Sequence, residues 1–137
     1  YCDEKKTLAL ALRAKALGMK VLLDFHYSDT WADPSWQEKP AAWEDDTGSD
    51  LEQDVYDFTA QVIQDMNDQG TTPDMVQIGN EINNGMLWPD GQLYLSGDDN
   101  YDGLAGLLNA GIDAVRDNEP TTSDGTTTKI KIMIHIA

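Results

Sequence analysis

Cysteine is almost absent: Cys2 stands alone in 137 residues, so no internal disulfide can form and cysteine use assigns no redox compartment. Positive charge is scarce as well, with 9 Lys and Arg against 25 Asp and Glu and a formal net charge of −16. A surface of that sign repels phosphate backbones and anionic headgroups. It argues against nucleic acid and membrane partners and suits a neutral substrate. Long apolar runs are missing too, and no segment reaches the ~20 residues of a transmembrane helix. Tyr1-Cys2-Asp3-Glu4 carries no signal-peptide pattern, and position 1 is not Met, so the chain reads as an excerpt of a longer protein. What is present is ordinary for one folded domain with a real core: 40% of the residues are hydrophobic.

Hydrophobic spacing divides the chain into alternating elements. Thr7 to Leu17 reads as a helix with Leu10, Ala14 and Leu17 on one face and Gly18 as its stop. Val21 to Tyr27 follows as a buried strand whose apolar run turns polar at its end. Ser49 with Glu52 predicts a capping box for a second helix, whose stripe of Leu51, Val55, Phe58, Val62 and Met66 runs toward Gly70. Met75 to Gly79 predicts a second strand. Leu104, Leu107, Leu108, Ile112 and Val115 form the stripe of a third helix, and Lys129 to Ile136 predicts a third strand. Such alternation implies a parallel α/β sheet. The segments after the strands, Ser28 to Gly48 and Asn80 to Asn100, are long, as in folds that collect function at the C-terminal strand ends. No Gly-rich phosphate loop follows a strand, which favours a (β/α)8 barrel over a nucleotide-binding sheet.

In a barrel the strand tips surround one cleft. Those tips carry Asp24, His26 and Tyr27, then Asn80 and Glu81, then His135. Either histidine taken alone reads as a satisfied core or rim residue. Glu81 differs, because a carboxylate directly after Gly79-Asn80 is costly unless solvated or used. A carboxylic acid there can protonate a departing glycosidic oxygen, and the neighbouring amide can hold a sugar hydroxyl. The two histidines lack the short spacing of a zinc pair, and no metal or cofactor is expected. All four tryptophans, Trp31, Trp36, Trp43 and Trp88, fall in post-strand segments, where flat rings suit pyranose faces. At least one of them is expected only to pack its loop down. Asp98, Asn100 and Asp102 match the first half of a calcium loop, but position twelve is Asn109 where that motif wants Glu. The acidic stretch reads instead as a loop whose Asp102 caps the third helix.

The stretches Val21-Leu22-Leu23-Asp24-Phe25-His26-Tyr27-Ser28-Asp29-Thr30-Trp31-Ala32-Asp33-Pro34 and Gln77-Ile78-Gly79-Asn80-Glu81-Ile82-Asn83, extended by Gly85-Met86-Leu87-Trp88-Pro89, resemble glycoside hydrolase family 53, the arabinogalactan endo-β-1,4-galactanases. The resemblance implies a retaining (β/α)8 TIM-barrel hydrolase that cuts β-1,4-galactan side chains of pectin. Residues 1–137 would be the middle segment of its single catalytic barrel, strands 3 to 5 with their helices and no second domain. Glu81 would be the general acid/base and Asn80 the residue holding the hydroxyl next to the scissile bond. His26, Tyr27, Asp29, Trp31, Trp88 and His135 would line the cleft. The nucleophile, a Glu on the seventh strand, has no counterpart here, so the excerpt alone is expected to be inactive. The resemblance further implies an extracellular or cell-surface enzyme, monomeric when complete, with a polysaccharide partner. Two alternatives stay open: a same-clan β-glycanase of mannanase or cellulase type, and a carbohydrate-binding segment without turnover.

Overall fold

Asp3 opens the first helix by accepting from the Lys6 backbone N–H at 2.8 Å, which satisfies one free donor of the first turn. In the computed structural model, which describes residues 3–95 and 97–137, this helix is α1 (Glu4–Ala16). Tyr1, Cys2 and Ser96, with the side chains of Leu95 and Asp98, lie outside the described residues. Gly18 takes φ +73° just past the helix, the left-handed stop expected of it. The buried face of α1 is not the expected one. Ala11 is buried and Leu8 packs on the core, while Leu10 is 62% and Leu17 79% exposed. Among the described residues, the core and the second helix meet α1 on its Leu8–Ala11 side.

Strand β1 (Leu22–Phe25) leads through one 3-10 turn (Ala41–Trp43) to α2 (Gly48–Asp68). The capping box does not form. Thr47 is the N-cap, without a side-chain cap bond, and Ser49 already lies inside the first turn. The stripe itself holds, with Leu51, Val55, Val62 and Met66 buried, whereas Phe58 stays partly exposed. After β2 (Met75–Ile78) the expected loop contains two small hairpins, β3 (Gly85–Met86) with β4 (Gly91–Gln92) and β5 (Tyr94–Leu95) with β6 (Asp98–Asp99). Gly85 makes the first possible, since it has φ +81° and a Cβ there would strike the Gly91 carbonyl.

Asn100, not Asp102, caps α3 (Tyr101–Asp117), its side chain accepting from the Gly103 N–H at 3.2 Å. Asp102 sits within the first turn, where its charge favours the helix dipole. Asn100 also donates to the Asp90 carbonyl at 2.7 Å, so its amide is spent on the fold rather than on a cation. Among the described residues no cluster of three or more His, Cys, Asp or Glu has metal-binding geometry. No helix among them is long and apolar enough to cross a membrane.

The last strand, β7 (Lys131–Met133), is shorter than its alternating isoleucines suggest. Beyond it the chain trades ladder bonds for bonds to the segment after β2. His135 O accepts from the Ile82 N–H at 3.0 Å, and the Asn83 amide brackets the main chain of Ala137 at 2.7 and 3.1 Å. The sheet is parallel in the order β1-β2-β7, with Leu22, Met75 and Lys131 in one row and Asp24, Gln77 and Met133 in another. Strand alternation sends Leu23, Phe25, Val76, Ile78 and Ile130 into the buried core. The opposite face carries Leu22, Asp24, Met75, Gln77, Lys131 and Met133, and Leu22 is 49% exposed there.

Candidate active site

The end of β2 is built around two left-handed residues. Gly79 takes φ +77°, and a Cβ there would lie 2.7 Å from Ile82 Cγ2, so glycine is required where the chain turns out of the strand. Glu81 takes φ +51° although it is not glycine. A left-handed non-glycine residue costs about 1–3 kcal/mol and persists where its surroundings dictate it. Here the surroundings are the buried Gln37 amide, 2.8 Å from the Asn80 carbonyl and 3.4 Å from the Glu81 carbonyl. The half-buried Glu81 thus stands on a fixed backbone at the C-terminal end of the central strand.

Asn80 beside it is fixed by three separate elements. Its Nδ2 donates to the Ala32 carbonyl at 2.9 Å, which defines the orientation of the amide. Its Oδ1 then faces Gln77 Nε2 and His135 Nδ1, each at 3.1 Å. Gln77 in turn donates to Asp24 Oδ1 at 2.6 Å, and Asp24 Oδ2 lies 3.2 Å from His26 Nε2. The Ala32 N–H donates to His26 Nδ1 at 3.3 Å, so the His26 proton sits on Nε2, facing Asp24. The chain of polar contacts runs from β1 through β2 to the segment beyond β7 and joins His26, Asp24, Gln77, Asn80 and His135 into one array. Both oxygens of Asp24 are engaged in it, one by Gln77 and one by His26.

Around this array the expected lining residues divide. Trp31 is 72% exposed and meets the His26 ring edge-on, with centroids 5.1 Å apart. Asp29 accepts from the Ala41 N–H at 2.9 Å and so holds the long loop in shape. Trp88 is half-buried, its indole N–H donating to the Asn84 carbonyl at 2.9 Å and its backbone N–H to the Gln37 carbonyl at 2.7 Å. Tyr27 does not belong with them. Beyond the end of β1 it takes φ +50° and turns into the core beside Leu23 and Phe25, where it is 4% exposed, stacks on Phe25 and bonds the Thr59 hydroxyl at 2.7 Å. Burial holds its phenol proton above the ordinary tyrosine range, against the pull of Thr59. Trp43 joins Tyr27 and Phe58 in the same aromatic cluster and is the tryptophan that packs its loop down.

Two site-forming residues escaped the sequence reading. Gln77 had a signal, a lone amide in an apolar strand two residues before Gly79. Gln37 had none, because its segment has no period.

The whole chain, residues 1–137, matches the model of glycosyl hydrolase family 53. It is 41% identical over 138 residues to an arabinogalactan endo-β-1,4-galactanase of Cellvibrio japonicus, covering 100% of this chain and 35% of that protein. An arabinogalactan endo-β-1,4-galactanase of Thermothelomyces thermophilus is 40% identical over 129 residues, covering 94% of this chain and 35% of its own length. The solved catalytic domain of that family from Ignisphaera aggregans superposes with a TM-score of 0.85 at 46% identity, over 98% of this chain and 34% of that one. The chain therefore spans about a third of the relatives it matches. It belongs to glycosyl hydrolase family 53.

Proposed function

We propose that these residues are the central segment of a single-domain (β/α)8 endo-β-1,4-galactanase, supplying strands 3 to 5 of the barrel, and that Glu81 is its general acid/base. The observation that carries the reading is Glu81 on a dictated backbone beside an Asn80 whose amide is held from Ala32, Gln77 and His135. The exposed faces of Leu10, Leu17 and Leu22 support the barrel, since the remaining elements would cover them.

In the complete enzyme a carboxylate from the seventh strand attacks the anomeric carbon while the Glu81 carboxyl gives its proton to the departing glycosidic oxygen. The resulting glycosyl ester is then cleaved by water, which the Glu81 carboxylate deprotonates, and the β configuration is retained. One Nδ2 proton of Asn80 is spent on Ala32, and the second is the donor offered to the sugar hydroxyl next to the scissile bond. Trp31 and Trp88 supply the sugar-stacking faces, with Asp29 shaping the loop between them and His26 and His135 fixing the floor. The acidic chain suits a neutral polysaccharide such as pectin galactan, met outside the cell or at its surface by a monomeric enzyme. No cofactor is required.

The test is to give the complete enzyme β-1,4-galactan, β-mannan and cellulose, and to follow reducing ends and the anomer first released. Cleavage of galactan alone with initial β product supports the reading. Cleavage of mannan or cellulose instead moves the enzyme to another specificity, and sugar binding without release makes the segment a binding element. Residues 1–137 by themselves should release nothing, for want of the second carboxylate and with two unpaired sheet edges.

A further inference from the structure

We propose that Gln37 is a positioning residue for Glu81, an inference that rests on the acid/base reading and deepens it. Gln37 is 2% exposed in a segment that is otherwise mostly at the surface. Its amide nitrogen lies 2.9 Å from the Asp33 carbonyl, 2.8 Å from the Asn80 carbonyl and 3.4 Å from the Glu81 carbonyl. A carboxamide has two N–H donors, and both are directed at main-chain oxygens. The Asn80 and Glu81 carbonyls belong to the peptide planes on either side of the Glu81 Cα. A donor shared between them therefore fixes both dihedrals of Glu81 and with them the direction in which its side chain leaves the chain.

Gln37 also sets the distance from the acid to an aromatic wall. Its own carbonyl accepts from the Trp88 N–H at 2.7 Å, and Glu38 pairs with Trp88 in a parallel bridge. One residue thus ties three pieces together: the segment after β1, the tip of β2 and the loop bearing Trp88. Lys39 nearby offers a contrast. Its ammonium joins the Asp46 carbonyl at 2.9 Å and Asp90 at 3.0 Å, clamping the same loops without touching residues 80 and 81.

The experiment compares kcat/KM of the complete enzyme on galactan and on a nitrophenyl galacto-oligosaccharide, whose phenolate leaves with little protonation. Gln37→Met keeps the volume and removes the donors. It should lose about 10–100-fold on galactan and less than about threefold on the nitrophenyl substrate, because a misplaced acid harms only the bond that needs its proton. Lys39→Met, a purely structural loosening, should lower both activities equally. Gln37→Asn, which keeps the amide one methylene short, should show the same split in smaller measure and serves as the test if the Met variant fails to fold. Glu81→Gln is run alongside. If it retains galactan cleavage, the acid/base reading falls and this proposal with it. If it behaves as a lost acid while the Gln37 variants lose equally on both substrates, or lose nothing, the positioning role alone is overturned.

Discussion

Asn80 Oδ1 and His135 Nδ1 lie 3.1 Å apart, joining the tip of the central strand to the chain beyond β7. A carbonyl oxygen only accepts, so His135 donates from Nδ1. His26 is the opposite case, accepting at Nδ1 from Ala32 and donating from Nε2 toward Asp24. The two histidines are therefore held in opposite senses at Nδ1, one donating and one accepting, at the two ends of the same array.

Tyr27→Phe should separate core from cleft. The substitution removes the bond to Thr59, which keeps its own bond to the Val55 carbonyl at 2.7 Å. Stability of the complete enzyme should fall by about 0.5–1.5 kcal/mol in denaturant titration, with galacto-oligosaccharide affinity unchanged. A loss of affinity without loss of stability would return Tyr27 to the sugar site.

In the sequence Tyr27 reads as a cleft residue because it ends the apolar run of its strand; past β1 it takes φ +50° and its ring turns into the core instead. The alternation of helices and strands along the chain gave the parallel sheet, and the polar ends of the apolar runs gave the tip positions of Asp24, Asn80 and His135. What stayed hidden depends on contacts between distant segments. The face of α1 could not be read, because Leu10 and Leu17 would need a neighbour that these residues do not include. The capping box at Ser49 lost to a helix that starts two residues earlier, at Gly48, with Thr47 as its N-cap. Gln37 depends on a loop with no repeating pattern meeting two carbonyls 43 and 44 positions away.

The two tryptophans proposed to line the cleft should respond differently to truncation. Trp31 is largely exposed, rests on the His26 ring edge and has little structural duty. Trp31→Ala should weaken oligosaccharide binding by about 1–3 kcal/mol and move the melting temperature little. Trp88 is tied through its indole to Asn84, so Trp88→Ala should lower both affinity and melting temperature. Titration calorimetry and thermal melts on each variant check the contrast.

Glu119 gives the fold a dependence on pH. Burial raises its pKa, but bonds from Lys129, the Ile130 N–H and Arg116 outweigh burial and hold it below the ordinary carboxylate range. Its side chain is 1% exposed. A depressed folded pKa means stabilisation that is full above the unfolded value and lost as pH falls through the folded one. Glu119→Gln should therefore destabilise by about 1–3 kcal/mol near neutral pH. The gap to wild type should close as pH drops below about 4.5, the ordinary glutamate value. Denaturant titrations across pH 3 to 7, about the range of carboxylate titration, would show it. A gap that stayed constant would mean the Glu119 charge is not what holds the α3–β7 turn.

The most direct measurement is kcat/KM for Glu81→Gln in the complete enzyme, taken on galactan and on a nitrophenyl galacto-oligosaccharide. The amide keeps the shape of the side chain but has no acidic proton to give. Activity on galactan should fall by about 10²–10⁴-fold or more, the usual contribution of a general acid, while the nitrophenyl substrate should lose far less. Galactan affinity should be close to that of the wild type. Near-wild-type cleavage of galactan by this variant would contradict the assignment, and Glu81 would then be a structural residue at the rim of the sheet.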